Sequence, residues 1–312
     1  MDVIWVLIGL ALLIGGGELL VRGAASLALR FRIPPLVIGL TIVSFSTSAP
    51  ELFVSLKAAL AGHPDMAVGN VVGSNLSNIG LILGVTALFF GFDVQMATFR
   101  RDWLFLMLFT IVYLFLLLDG STAVIDGSIL LAILGAYILL LLSVVRKNRR
   151  SGKPTEDSEL ADPLWRSLLF LILGIAGLKF GADSLVKGSV GLAKDWGVSD
   201  RVISLTVVSI GTSLPELAAS LVSAFRGERE ISLGNIIGSN IFNIGSVIGL
   251  SSLVIPIVPH DPQVLRFDYP WMIGMTLLIP IMLLIGKRYR ISKWQGAVFL
   301  LGYAAYILSI FY

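Results

Sequence analysis

Glu51 and Glu216 each follow a proline, Pro50 and Pro215, inside long apolar stretches, with Thr47 and Ser48 before the first acid and Thr212 and Ser213 before the second. An acid in the middle of a membrane-spanning helix costs at least ~2.5–3.5 kcal/mol on insertion scales, so it needs a compensating partner. The nearest base to Glu51, Lys57, lies six residues on and on a different helix face, and the matching position near Glu216 is Val222. Two symmetric acids in this setting favour a bound cation. A helix-interior proline has no N–H and clashes with the carbonyl four residues back, here at Ser46 and Gly211, so each helix must kink or break. That frees carbonyl oxygens beside four hydroxyls, and the spacing of Thr47 to Glu51 and of Thr212 to Glu216 puts hydroxyl and carboxylate on one helix face.

A second pair of segments supplies more oxygen. Ser74 and Asn78 share a face, as do Ser239 and Asn243, and both asparagines are read as ligands. Asn75 and Asn240 are read as hydrogen-bonding a neighbouring helix, and Gly69, Gly73, Gly234 and Gly238 as small-xxx-small pairs that let backbones approach. Carboxylate, hydroxyl, amide and carbonyl oxygen without sulfur or imidazole suits sodium, calcium or magnesium rather than a transition metal. Two carboxylates neutralise one Ca²⁺, whereas three Na⁺ leave one positive charge over.

The elements that carry these residues are membrane helices. Only 14% of the 312 residues are charged, against about 25% in soluble chains, and 56% are hydrophobic. The net charge of +3 sits in short breaks between apolar runs, which argues against nucleic acid as a partner and for membrane lipid. Cysteine is absent and there are two histidines, so thiolate metal sites and a core Ser/His/Asp arrangement drop out and no cofactor is expected; the chain is not read as an enzyme. Apolar runs long enough to span lie at roughly 3–29, 36–61, 66–91, 102–118, 123–145, 163–191, 201–225, 231–255, 269–286 and 294–311, ten in all, the fourth and fifth separated by a turn at Asp119-Gly120-Ser121.

Residues 16–84 align with 181–249 without a gap: TIVSFSTSAPELFVSL at 41–56 matches TVVSIGTSLPELAASL at 206–221, and GNVVGSNLSNIG at 69–80 matches GNIIGSNIFNIG at 234–245. Five spans per copy is an odd number, so the copies enter the membrane from opposite sides, the inverted-repeat architecture of secondary transporters. The expectation is an all-α integral membrane protein of ten transmembrane helices in two inverted five-helix repeats with broken central helices. Residues 1–145 form the first repeat, 146–162 a cytoplasmic linker and 163–312 the second. With alternating loops, 15 lysines and arginines fall on one side and 3 on the other, which places the linker in the cytoplasm and both termini outside the cell (inner) membrane. Glu18 with Arg22 and Asp183 with Lys187 are read as i,i+4 charge pairs.

The paired TSAPE with GNVVGSN and TSLPE with GNIIGSN resemble the two alpha repeats of the sodium/calcium exchanger family, within the cation/calcium antiporter superfamily, in its compact prokaryotic form. The resemblance covers essentially the whole chain. It implies direct binding of calcium and sodium by Glu51 and Glu216, oxygens from Thr47, Ser48, Thr212, Ser213, Ser74, Ser239, Asn78 and Asn243, and backbone carbonyls from Ser44 and Ser209 that complete the sodium sites. It also implies that the first and sixth helices slide against the remaining bundle. Ser46 departs from the family's usual glycine, still present as Gly211, and Asn243 stands where some relatives, including potassium-dependent exchangers, carry aspartate.

The function expected is a monomeric secondary antiporter that exchanges Na⁺ for Ca²⁺ by alternating access, electrogenic at three to one. The alternative is an antiporter of H⁺ or another cation against Ca²⁺ that uses the same glutamates as proton carriers; the hydroxyl-rich surround favours Na⁺. A passive channel fits poorly with broken helices in inverted repeats, and a membrane scaffold fits poorly with the lack of extramembrane domains.

Overall fold

The computed structural model describes residues 2–150, 161–196, 209–259, 261–285 and 289–310. The central part of the expected linker, the start of the seventh expected span with Arg201, and Lys287 and Arg288 lie outside the described residues. The described residues are overwhelmingly helical. In chain order the helices are α1 (Asp2–Phe31), α2 (Pro35–Thr47), α3 (Ala49–Leu60), α4 (Pro64–Phe90), α5 (Met96–Leu117), α6 (Val124–Arg150) and α7 (Leu164–Asp195). They continue with α8 (Ser209–Thr212), α9 (Leu214–Phe225), α10 (Arg229–Val254), α11 (Val264–Leu284) and α12 (Lys293–Ile310).

Six of these are long and apolar enough to cross a membrane, or seven if α2 and α3 count as one broken span. Three expected spans fall short of that measure for local reasons. α5 opens with Arg100, Arg101 and Asp102, α12 opens on Lys293, and α9 is the described remainder of a run whose beginning lies outside the described residues. The expected turn between the fourth and fifth spans is present, with Gly120 at φ +88 and the Ser121 amide donating to Asp119 Oδ1 at 3.2 Å. α6 runs on through the first residues expected to be linker, because Arg146–Arg150 holds strong helix formers and the first breakers follow at Gly152 and Pro154. A two-residue strand pair not anticipated from sequence, β1 (Phe92–Asp93) with β2 (Arg290–Ile291), is antiparallel with Phe92 opposite Ile291.

The chain folds as two compact units, Met1–Thr47 with Leu141–Asn235, and Ser48–Leu140 with Ile236–Tyr312. In the first unit α1 and α7 lie side by side around a core of Leu13, Leu20, Ala24, Leu171 and Leu178. Their contact is a glycine seam: Gly9, Gly16 and Gly23 on α1 and Gly174, Gly181 and Gly188 on α7 recur every seven residues. A methyl group at Gly16 would sit 2.6 Å from the Leu178 nitrogen, and one at Gly174 2.5 Å from the Leu20 nitrogen, so the backbones touch.

The expected Glu18–Arg22 pair is not what forms. Arg22 instead donates to Asp162 at 3.0 Å, Arg166 joins the same carboxylate at 3.4 Å, and Glu18 is paired with Arg226 at the end of α9. Packing in this unit thus gives Arg22 and Glu18 partners far away in the chain instead of each other. The Lys187 ammonium lies 3.9 Å from the Trp5 ring centroid, a cation–π contact.

In the second unit α4 packs against α3, α11, α12 and the later part of α10. Both α4 and α10 contain a π-helical stretch, Asn78–Leu83 and Asn243–Ile248, at equivalent positions of the two repeats. Each stretch passes a glycine against an aromatic residue. A methyl at Gly80 would lie 2.5 Å from Tyr303 Cβ, and one at Gly245 2.8 Å from Phe109 Cε1.

Candidate functional site

Six of the twelve residues singled out from sequence fall in each unit, with one glutamate in each. Ser44, Thr47, Ser209, Thr212, Ser213 and Glu216 belong to the first, and Ser48, Glu51, Ser74, Asn78, Ser239 and Asn243 to the second. Both expected helix breaks are present: the helical runs stop at Ser48 (φ −82, ψ 0) and at Ser213 (φ −88, ψ 3) and resume as α3 and α9. Pro50 and Pro215 then sit at the start of a new helix, where the missing N–H costs nothing.

Restarting the helix puts Glu51 and Glu216 in the first turn of α3 and α9, at 0% and 1% exposure. A helix N-terminus favours a negative charge by ~0.3–1 kcal/mol, rising to ~2 in favourable buried geometry. Burying an ion costs several kcal/mol, so the dipole offsets only part of that. Ser-x-Pro-Glu also fits the serine-to-acid spacing of a capping box, yet neither Ser48 nor Ser213 makes a side-chain capping bond. The buried Ser213 hydroxyl has no hydrogen-bond partner among the described residues.

In the first unit the last turn of α2 packs on α9. Thr47 Oγ1 donates to the Ser44 carbonyl at 3.3 Å and to Asn235 Oδ1 at 3.2 Å. Asn235 Nδ2 in turn donates to Ser220 Oγ at 3.0 Å and to the Glu216 carbonyl at 3.4 Å. Asn235 thus ties α2, α9 and α10 together. Ser44 uses its hydroxyl on the Gly39 carbonyl at 2.5 Å, and Gly234 lies so close to α2 that a methyl there would sit 2.5 Å from the Leu36 carbonyl oxygen. Ser46, the departure from the family pattern, back-bonds to the Ile42 carbonyl at 2.6 Å, whereas Gly211 faces Val186. Thr212 is partly exposed, and Ser209 is the first described residue of α8.

In the second unit Asn70 repeats the role of Asn235, donating to Ser55 Oγ at 2.9 Å and to the Glu51 carbonyl at 3.3 Å. The helix of Glu51 also packs on the Asn243–Ile248 stretch. Asn78 and Asn243 open the two π-helical stretches, a feature that often marks functional positions. Both atoms of the buried Asn78 amide, and Asn243 Oδ1, lack a hydrogen-bond partner among the described residues. Ser74 and Ser239 are buried. Asn75 reaches the neighbouring helix as expected, but Asn240 folds back on its own helix, donating to the Ile236 carbonyl at 3.0 Å. A methyl at Gly69 or Gly73 meets nothing among the described residues within 4 Å. Gly234 packs on Leu36–Leu40, and the repeat equivalents of those residues, 201–205, lie outside the described residues.

Asn70, Asn235, Ser55 and Ser220 were not singled out from sequence, although all four recur at equivalent repeat positions. Each asparagine directly follows a motif glycine that drew the packing argument.

The sequence profile of the sodium/calcium exchanger protein family matches residues 1–143 and 166–312. The chain belongs to that family. CaxA of Alkalimonas amylolytica is 39% identical over 99% of this chain and 98% of its own. The sodium/calcium exchanger MaX1 of Methanosarcina acetivorans is 30% identical over 98% of this chain and 97% of its own. A solved structure of the sodium-calcium exchanger NCX_Mj, soaked with 2.5 mM Na⁺ and 0.1 mM Ca²⁺, superposes with a TM-score of 0.81 at 33% identity, covering 99% of this chain and 98% of that one. Membership makes this chain a compact exchanger of the prokaryotic type, a membrane-embedded cation/calcium antiporter rather than an enzyme.

Proposed function

We propose that the chain moves Ca²⁺ against Na⁺ by alternating access, one Ca²⁺ for three Na⁺, with Glu51 and Glu216 binding both ions directly. Thr47, Ser48, Thr212, Ser213, Ser74, Ser239, Asn78 and Asn243 add neutral oxygens, and the carbonyls of Ser44 and Ser209 complete the sodium ligands. The observation that carries this reading is the pair of fully buried glutamates, each at the first turn of a helix that restarts after a break. A cation bound at the carboxylate supplies the charge compensation that a helix dipole leaves incomplete. Support for Na⁺ over H⁺ comes from the hydroxyl and amide oxygens, which ligate sodium and do little for a proton.

The membrane arrangement proposed with it is ten spans in two inverted repeats, 1–145 and 163–312, joined by the cytoplasmic segment 146–162, both termini outside the inner membrane, working as a monomer. At three to one, one net charge crosses per cycle, worth about 2.3 kcal/mol per 100 mV. With a tenfold Na⁺ gradient the drive reaches roughly 6.5 kcal/mol, enough for a calcium ratio near ~10⁵.

The test is ⁴⁵Ca²⁺ uptake into Na⁺-loaded proteoliposomes, with an imposed pH gradient as the parallel arm. Uptake should follow the outward Na⁺ gradient and ignore the pH gradient. Uptake that follows pH instead would move the coupling ion to the proton.

A further inference from the structure

We propose that Asn75 is a positioning residue that turns the oxygen of the Asn243 amide, rather than its nitrogen, toward the bound cation. This rests on the reading of Asn243 as a ligand. An amide can ligate a hard cation only through oxygen, because its NH₂ group has hydrogens and no available lone pair. Its two ends are nearly the same size, so some polar contact must decide which one faces the ion.

That contact begins at a group whose polarity cannot change. The Asn240 backbone carbonyl only accepts, and Asn75 Nδ2 donates to it at 3.3 Å. The Asn75 nitrogen is thereby committed, and its Oδ1 is left as an acceptor. Asn243 meets that oxygen with its own Nδ2 at 3.1 Å. Reversing the Asn243 amide would set oxygen against oxygen, and reversing Asn75 to match would set its oxygen against the Asn240 carbonyl. Both asparagines are fully buried, at 1% and 0% exposure, so water offers neither an alternative partner. Asn243 Oδ1 is the one end of the relay with no hydrogen-bond partner among the described residues.

The equivalent relay in the other direction is not made. Asn240 Nδ2 is spent on the Ile236 carbonyl within its own helix, and Asn240 Oδ1 and both ends of the Asn78 amide lack hydrogen-bond partners among the described residues. Position 75 therefore carries a role that position 240 does not, although the repeats place asparagine at both. The relay also selects a neutral group at 243. A carboxylate there would present an oxygen to Asn75 Oδ1, with no proton between them.

The experiment is a double-mutant cycle on equilibrium ⁴⁵Ca²⁺ binding to the purified full-length protein in detergent, with wild type, Asn75→Ala, Asn243→Ala and the double variant. Removing a residue that orients a metal ligand typically costs ~10–100-fold in affinity, and that loss is expected for Asn75→Ala. The double variant should bind no more than about threefold more weakly than Asn243→Ala alone, because Asn75 acts through Asn243. Asn240→Ala, which keeps the accepting carbonyl, should change the dissociation constant less than threefold. If Asn75→Ala does not yield monodisperse protein, Asn75→Leu, with the same branching and without polarity, carries the cycle. Losses that multiply in the double variant would overturn the positioning role while leaving calcium binding in place. Wild-type protein that binds no calcium would overturn the functional reading itself, and the relay's role with it.

Discussion

Asn235 holds three elements by side-chain hydrogen bonds to Thr47, Ser220 and the Glu216 carbonyl, all inside a buried part of the first unit. Asn235→Leu keeps the branching of the side chain but removes the amide that bridges α2, α9 and α10, and each lost hydrogen bond is worth ~0.5–1.5 kcal/mol. A fall of several degrees in the thermal unfolding temperature is expected, well beyond that of Ser46→Ala, which removes one bond within its own helix. Asp162 gives a prediction outside the membrane. The hydrogen bond from Arg22, with Arg166 beside it, holds its carboxyl below the usual carboxylate range. For an acid lowered in the folded state, the contribution to stability is present above the unfolded pKa and is lost as pH falls through the folded one. The unfolding temperature of wild type should therefore exceed that of Asp162→Asn at neutral pH by a small, salt-sensitive margin, and the two curves should converge in acid. The glutamates, their prolines and the flanking hydroxyls were legible as chemistry because an acid in an apolar run demands an explanation. Asn70 and Asn235 were equally visible as a repeated Gly-Asn pair, but an asparagine's choice between ligating an ion and bracing a helix depends on what faces it, which spacing along one chain does not contain.

At the scale of elements, both breaks were legible because proline imposes them whatever surrounds it. The π-helical stretches at Gly39–Val43, Asn78–Leu83 and Asn243–Ile248 were not. One extra residue in a turn shifts the apolar pattern, but a helix that is apolar all round has no stripe in which the shift would register. The α1–α7 seam shows the opposite case: its seven-residue glycine spacing was present in the sequence, but a glycine tells its purpose only once a backbone lies against it. Gly15 and Gly16 separate the two possibilities. A methyl at Gly15 meets nothing within 4 Å, and one at Gly16 meets the Leu178 backbone at 2.6 Å. Gly15→Ala should leave the unfolding temperature unchanged or raise it slightly, consistent with the ~0.5–1 kcal/mol helix advantage of alanine over glycine. Gly16→Ala should lower it by an amount equivalent to ~1–3 kcal/mol, the usual cost of overpacking. Equal behaviour of the two variants would mean that the seam is not a backbone contact.

On the scale of the whole molecule, the compact units do not follow the two sequence halves: each unit takes helices from both repeats and one of the two glutamates. Sequence self-comparison could show that the repeats exist, but not which helices of each would pack together, because that depends on contacts between segments far apart in the chain. The proposed orientation is open to a direct check, since the chain contains no cysteine. In intact cells a membrane-impermeant maleimide should label Ser121→Cys and should reach Ser158→Cys only after permeabilisation; the reverse pattern would invert the topology. The central claim is exchange of three Na⁺ for one Ca²⁺ through Glu51 and Glu216, and it is tested most directly by the current that a Ca²⁺ jump elicits from Na⁺-loaded proteoliposomes on a solid-supported membrane. The prediction is one net positive charge leaving the lumen per Ca²⁺ taken up, with both current and uptake abolished in Glu51→Gln. Uptake without current, or a current undiminished in Glu51→Gln, would contradict it.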